Sequence, residues 1–164
     1  MTTIDPTVAK RLAAALASGP EALFAVLSGL FTAIPGVRTA TFIATAPDRS
    51  VTHRIGTSDP VNFPVGNVDP VDDSPWNRRI LVEQQPVIGD SVAGMAAFLP
   101  ETDGLVAMGY GACSCFPIVI AGETRGVVAL LGDAGIFTAR ALAGIEALLP
   151  IAALTFAFNG ISER

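Results

Sequence analysis

The sequence predicts an α+β fold: a central antiparallel sheet with N- and C-terminal helices on one face and short helices and loops covering a pocket on the other. Three observations predict it. Helical apolar periodicity stands at both ends of the chain, strand-like runs joined by short turns lie between, and a proline-rich stretch divides those runs.

Asp5 followed by Pro6 opens the first helix, because Asp accepts from free N–H groups and Pro gives up an N–H that has no partner there. Gly19 and Pro20 interrupt it. A second helix, Glu21 to Ile34, follows, with Leu23, Leu27, Leu30, Phe31 and Ile34 sharing one face. "VRTATFIAT" and "SVTHRIGT" read as a hairpin turning at Pro47 and Asp48. Four prolines in "DPVNFPVGNVDPVDDSPW" exclude a helix interior or a central strand, so this stretch is expected as a long loop. Ser74 and Pro75 then cap a helix from Trp76 to about Gln84. "QPVIGD" reads as a short strand, and "AGMAAF" and "ETDGLVAMG" as short helices. "ACSCFPIVI" and "TRGVVALLG" form a second hairpin, and a long helix from Phe137 to Phe158, capped by Thr138 and kinked at Pro150, closes the chain.

With 164 residues, 51% of them hydrophobic, one domain spanning 1–164 is expected. A formal charge of −5, with basic residues scattered rather than striped, disfavours nucleic acid. The N-terminus lacks a secretory pattern, and the apolar run Ala147 to Phe158 is shorter than the ~20 residues that span a bilayer. A cytoplasmic protein without a membrane partner is therefore expected. One histidine, His53, and two cysteines without metal-site spacing do not suggest a metal centre, and no cofactor can be named.

"GYGACSCFPIVIAGETRGVVAL" resembles the signature of the GAF domain family through Gly109, Pro117, Gly122 and Gly126. "WNRRILVEQQPVIGD" is similar to the family's helix, strand and frequent Asp, and "IFTARALAGIEALLPIAALTFA" to its closing helix. The resemblance covers nearly the whole chain. It implies a small-molecule pocket on the sheet face opposite the terminal helices, a homodimer through those helices, and an output partner in a separate protein, since one such domain takes up the whole sequence. The catalytic branch, free methionine-R-sulfoxide reductase, keeps reactive cysteines ahead of the strand that corresponds to 112–118; this chain has none there. The residues that a bilin-bearing or cyclic-nucleotide-binding member needs are not recognisable either.

The reading that follows is a stand-alone sensory protein binding a small organic ligand in a largely apolar pocket. Its rivals are a thiol-dependent enzyme acting on a small metabolite and a ligand-free dimerisation module. The pocket is expected between the segment Trp76 to Tyr110 and the strand bearing Cys113 and Cys115, with Trp76, Asp90, Met95, Phe98, Met108, Tyr110, Cys113 and Cys115 as candidate ligand contacts. Cys113 and Cys115 lie two apart in a strand and so share a face, where a disulfide between them would be strained. They serve either as small core hydrophobes or as the thiol lining of a pocket that senses an oxidant or electrophile. Asp90 suits turn capping as well as a pocket mouth, the Tyr110 hydroxyl is expected to face the cavity, and Arg78 or Arg79 is available for an anion.

Overall fold

The computed structural model describes residues 4–159. Asp5 caps helix α1 (Pro6–Ser18) by accepting from the Thr7 and Val8 N–H groups, and α2 (Pro20–Thr32) follows across Gly19. On α2, Leu23, Leu27 and Phe31 are fully buried at a spacing of four, which forms a stripe along one helix face. Each such side chain contributes ~1.5–3 kcal/mol through burial.

Strands β1 (Val37–Thr45) and β2 (Val51–Thr57) form the expected hairpin, and β5 (Ala112–Ile120) and β6 (Glu123–Gly132) form the second. The hairpins join through antiparallel pairing of β1 with β6. One departure from expectation lies in the proline-rich stretch, where Val68–Pro70 adds a strand, β3, beside β2. It is an outer strand of three exposed residues, and proline is tolerated at an edge because the missing N–H interrupts no inner ladder. With β4 (Val87–Gly89), the six strands run β3-β2-β1-β6-β5-β4.

A second departure concerns the helix after Ser74. Only Pro75–Asn77, α3, is α-helical; Arg78–Val82 is a π-helical turn closed by Glu83 N–H donating to the Arg78 carbonyl at 3.0 Å. The wider turn brings the adjacent side chains Ile80 and Leu81 inward together. Two short helices follow, α4 (Val92–Ala96) and α5 (Thr102–Ala107).

Helix α6 (Ala139–Asn159) begins at Thr138, whose hydroxyl accepts from Ala141, and carries Pro150 internally. Its stretch Ala139–Ala157, with mean hydropathy 1.5, is long and apolar enough to cross a membrane, contrary to the length expected from sequence. The apolar run is extended by tolerating Arg140 and Glu146. In this fold Ile145, Ala152, Thr155 and Phe156 of the helix are buried as part of the core.

Alternation along the strands makes two cores. Ala40, Phe42, Ala112, Phe116, Val128 and Leu130 face α1, α2 and α6. Cys113, Cys115, Val127, Ala129 and Leu131 face the opposite way, toward Ile80, Leu81, Met95, Leu99 and Leu105.

Candidate functional site

The second core is incomplete at its centre. A cavity of about 520 Å³ lies over the sheet, with Thr41 and Ile43 of β1, Thr52 and Arg54 of β2, Cys113 and Cys115 of β5, and Ala129 and Leu131 of β6 in its wall. Trp76 and Asn77 of α3 cover one side, and Leu99, Glu101, Leu105 and Met108, on and around α5, cover another. The edge strand supplies Asp69 and Pro70, and Phe63 projects from the preceding loop. The short covering segments leave this space because none is long enough to lay a continuous apolar stripe across the sheet.

Among the candidates, Trp76, Met108, Cys113 and Cys115 meet at this cavity. The other four lie outside its wall. Asp90 accepts from the Phe137 N–H at 3.0 Å through its carboxylate and from the Gly135 N–H at 3.0 Å through its carbonyl, which fixes the β6–α6 connection. Met95 is fully buried on the inner side of α4, whose backbone sits so close to Gly89 that a Cβ there would stand 2.7 Å from Met95 N. Phe98 packs against the same core from its margin. The Tyr110 hydroxyl is 2.7 Å from Thr39 Oγ1 in the buried layer, and Arg38 stacks on its ring at 4.6 Å, so the phenol is committed away from the cavity.

Period-two alternation puts Thr41 and Ile43 on the same face as the cysteines, a signal present in "TATFIAT" but usable only once β1 is paired with β6. Arg54 and Phe63 carried no such signal. Arg78 and Arg79 both pair with Glu83, at 3.5 and 3.4 Å, rather than pointing into the cavity. His53 alternates with Thr52 and Arg54 on β2, and among the described residues no group of three potential ligands is placed to hold a metal ion.

The floor is apolar and the rim polar. Arg54 donates to the Pro64 carbonyl at 3.1 Å and lies over the Phe63 ring at 5.5 Å, while its Nε is buried without a partner. Burial lowers the Arg54 pKa and the charge of Asp69 opposes that fall. The Asp72 carboxylate is held below its ordinary range by hydrogen bonds from Ser74 and then from Asn77.

At the floor, Cys113 Sγ and Cys115 Sγ stand 3.7 Å apart. The hydrogen bond between them and then burial push the Cys113 thiol well above its ordinary range. The same bond lowers Cys115, against burial. The buried Trp76 Nε1–H adds to that lowering by its nearness to Cys115, although it falls short of hydrogen-bonding geometry. No histidine or lysine lines the cavity to act as a base toward either sulfur.

No family profile matches the sequence, and no curated protein matches it. Solved structures do. The chain superposes on the GAF domain of the Acinetobacter phosphoenolpyruvate-protein phosphotransferase with a TM-score of 0.73 at 9% identity, covering 100% of both chains. The phycocyanobilin-bound GAF domain of a cyanobacterial phytochrome gives 0.71 at 19% identity, covering 96% of each. The GAF domain of a two-component sensor histidine kinase from Bacillus halodurans gives 0.68 at 14% identity, with 84% of this chain and 93% of that one covered. By its architecture and its end-to-end match to these solved domains, the chain has the GAF fold.

Proposed function

We propose that this protein is a receptor of GAF type that reversibly holds a small organic molecule over the cysteine-bearing face of its sheet. The observation that carries the reading is the cavity of about 520 Å³, with an apolar floor and a few polar groups at its rim. That volume and that balance of surfaces suit a small ligand. The phytochrome GAF domain of the same fold holds an organic chromophore, which supports binding as the use of this architecture. Reversible binding is favoured over thiol catalysis because the two sulfurs face each other, no histidine or lysine lines the cavity to activate them, and the nearby Glu101 carboxylate opposes their ionisation.

Filling the cavity would shift the covering segments and, through the shared sheet, the helices on its other face. Those helices are the proposed route to a second copy and to an output protein. Of the apolar stretch Ala139–Ala157 only 22% is buried, and Leu154 is 39% exposed, so α6 retains apolar surface for a partner. A cytoplasmic setting goes with this reading, since two cysteines without a disulfide framework are the usual pattern of reducing compartments.

Native mass spectrometry of the full chain, purified from its source organism under gentle conditions, tests both parts. We expect a dimer with one organic molecule retained per chain, and loss of that molecule in Ala129→Phe, whose ring would occupy the floor. A bare monomer at high protein concentration, unchanged by the substitution, would sink the reading.

A further inference from the structure

We infer that Cys113 and Cys115 form a dithiol clamp for a pyramidal trivalent centre carrying an organic group, an organoarsonous acid R–As(OH)2 being the chemical class that fits. The inference rests on the cavity being the ligand site proposed above, and it adds what the floor would recognise.

The distance between the sulfurs is set by the sheet. β5 is an inner strand, with Cys113 paired to Gly89 and Leu131 and Cys115 to Val87 and Ala129. Closing a disulfide would bring the sulfurs from 3.7 Å to about 2.05 Å along one strand held by ladders on both sides. A bridging atom needs no such movement. With sulfur bonds of about 2.3 Å, as for a thiolate on zinc, sulfurs 3.7 Å apart subtend about 107° at the bridging atom.

That angle selects among soft centres. A linear two-coordinate ion with such bonds would hold the sulfurs about 4.6 Å apart, wider than the observed 3.7 Å. Tetrahedral zinc matches the angle but needs two more protein donors, and among the described residues no group of three His, Cys, Asp or Glu is placed to supply them. A three-coordinate pyramidal centre needs only two sulfurs if it brings its own third substituent. The cavity directly over the thiols accommodates that substituent, with Trp76, Ile43, Leu105 and Leu131 as apolar walls.

The exchange is balanced without an oxidant or reductant. Two As–O bonds break and two As–S bonds form, each thiol proton leaves with a hydroxyl as water, and arsenic stays trivalent. Because each proton departs with its leaving hydroxyl, the step needs no preformed thiolate, which suits the buried Cys113 thiol that resists ionisation.

The full chain, incubated with phenylarsonous acid and then with an excess of the monothiol 2-mercaptoethanol, provides the test by native mass spectrometry. We expect one phenylarsenic group per folded chain, bound with loss of two waters and of both free thiols. In Cys113→Ser and Cys115→Ser, and in the corresponding Ala variants should either serine variant fold poorly, retention against the monothiol should fall roughly a hundredfold or more, the advantage a second tethered contact gives. An adduct that forms only in denaturant, or that either single variant retains equally, would overturn the clamp. Toluene, monitored through Trp76 emission, separates the two levels of argument. A toluene response without arsenical capture refutes the clamp and leaves the cavity reading standing, whereas silence to both refutes the two together.

Discussion

Tyr110 and Thr39 share a hydrogen bond of 2.7 Å between side chains that are 6% and 2% exposed, so neither hydroxyl has water as an alternative. Tyr110→Phe leaves Thr39 Oγ1 unpaired and should cost ~1–3 kcal/mol by urea denaturation. Adding Thr39→Val should recover part of that loss, and strictly additive costs would contradict the assignment. The thiol pair makes a different kind of statement. Between the ordinary value of 9.0 and the raised value of Cys113, the unfolded chain has released both thiol protons while the folded chain keeps the one on Cys113. Its contribution to stability is therefore full below 9.0 and is lost as pH climbs through the raised value. Cys115, lowered, works in the opposite sense and adds stability as pH rises toward 9.0, so the pair contributes most near that pH. Thiolate absorbance of the folded protein above pH 9.0 should correspond to one thiolate per chain, with the second appearing on unfolding, and iodoacetamide should modify Cys113 slowly. Two thiolates in the folded state would contradict this. Sharing of a face by the two cysteines was legible in the sequence because strand alternation fixes it, but their 3.7 Å contact over an open cavity depends on segments packed from elsewhere.

Helix α6 is seated on the sheet at Gly126 of β6. A Cβ there would collide with the Phe156 ring and stand 2.7 Å from the Ile43 carbonyl oxygen, so one neighbour is backbone and cannot rotate aside. Gly126→Ala should lower stability by ~1–3 kcal/mol in thermal or urea unfolding. An unchanged midpoint would show that the helix sits higher on the sheet than described. At this scale the sequence was most readable where one signal decided the outcome. Asp5-Pro6, Ser74-Pro75 and Thr138 mark helix starts, and the two hairpins appear at the expected places. Where two signals competed, it misled. Pro64 and Pro70 argued against strand around Val68, yet Val51, Thr52 and His53 on β2 present an edge to which three residues can pair. The π-helical turn at Arg78–Val82 is likewise set by the need to bury Ile80 and Leu81 together, a demand that exists only once the sheet is beneath them.

At the scale of the molecule, the described residues build one six-stranded sheet with a filled core on one face and a partly open one on the other. Which face would be open was legible, because terminal helices with long apolar stripes compete for one face and leave the other to short segments. Which residues would wall the opening was less so. Asp90, Met95, Phe98 and Tyr110 come from the expected segment but turn to turn-fixing and packing, while Thr41, Arg54 and Phe63 reach the cavity from the other half of the chain. The central claim, that this opening receives small organic molecules, is tested most directly by methionine-methyl and indole NMR during a titration with toluene. Met108 and Trp76 line the cavity, whereas Met95 is buried in the same core but outside the cavity wall. We expect saturable shifts of the Met108 methyl and the Trp76 indole N–H, a much smaller response at Met95, and loss of all three in Ala129→Phe. Shifts confined to Met95, or a toluene response that Ala129→Phe leaves intact, would contradict it.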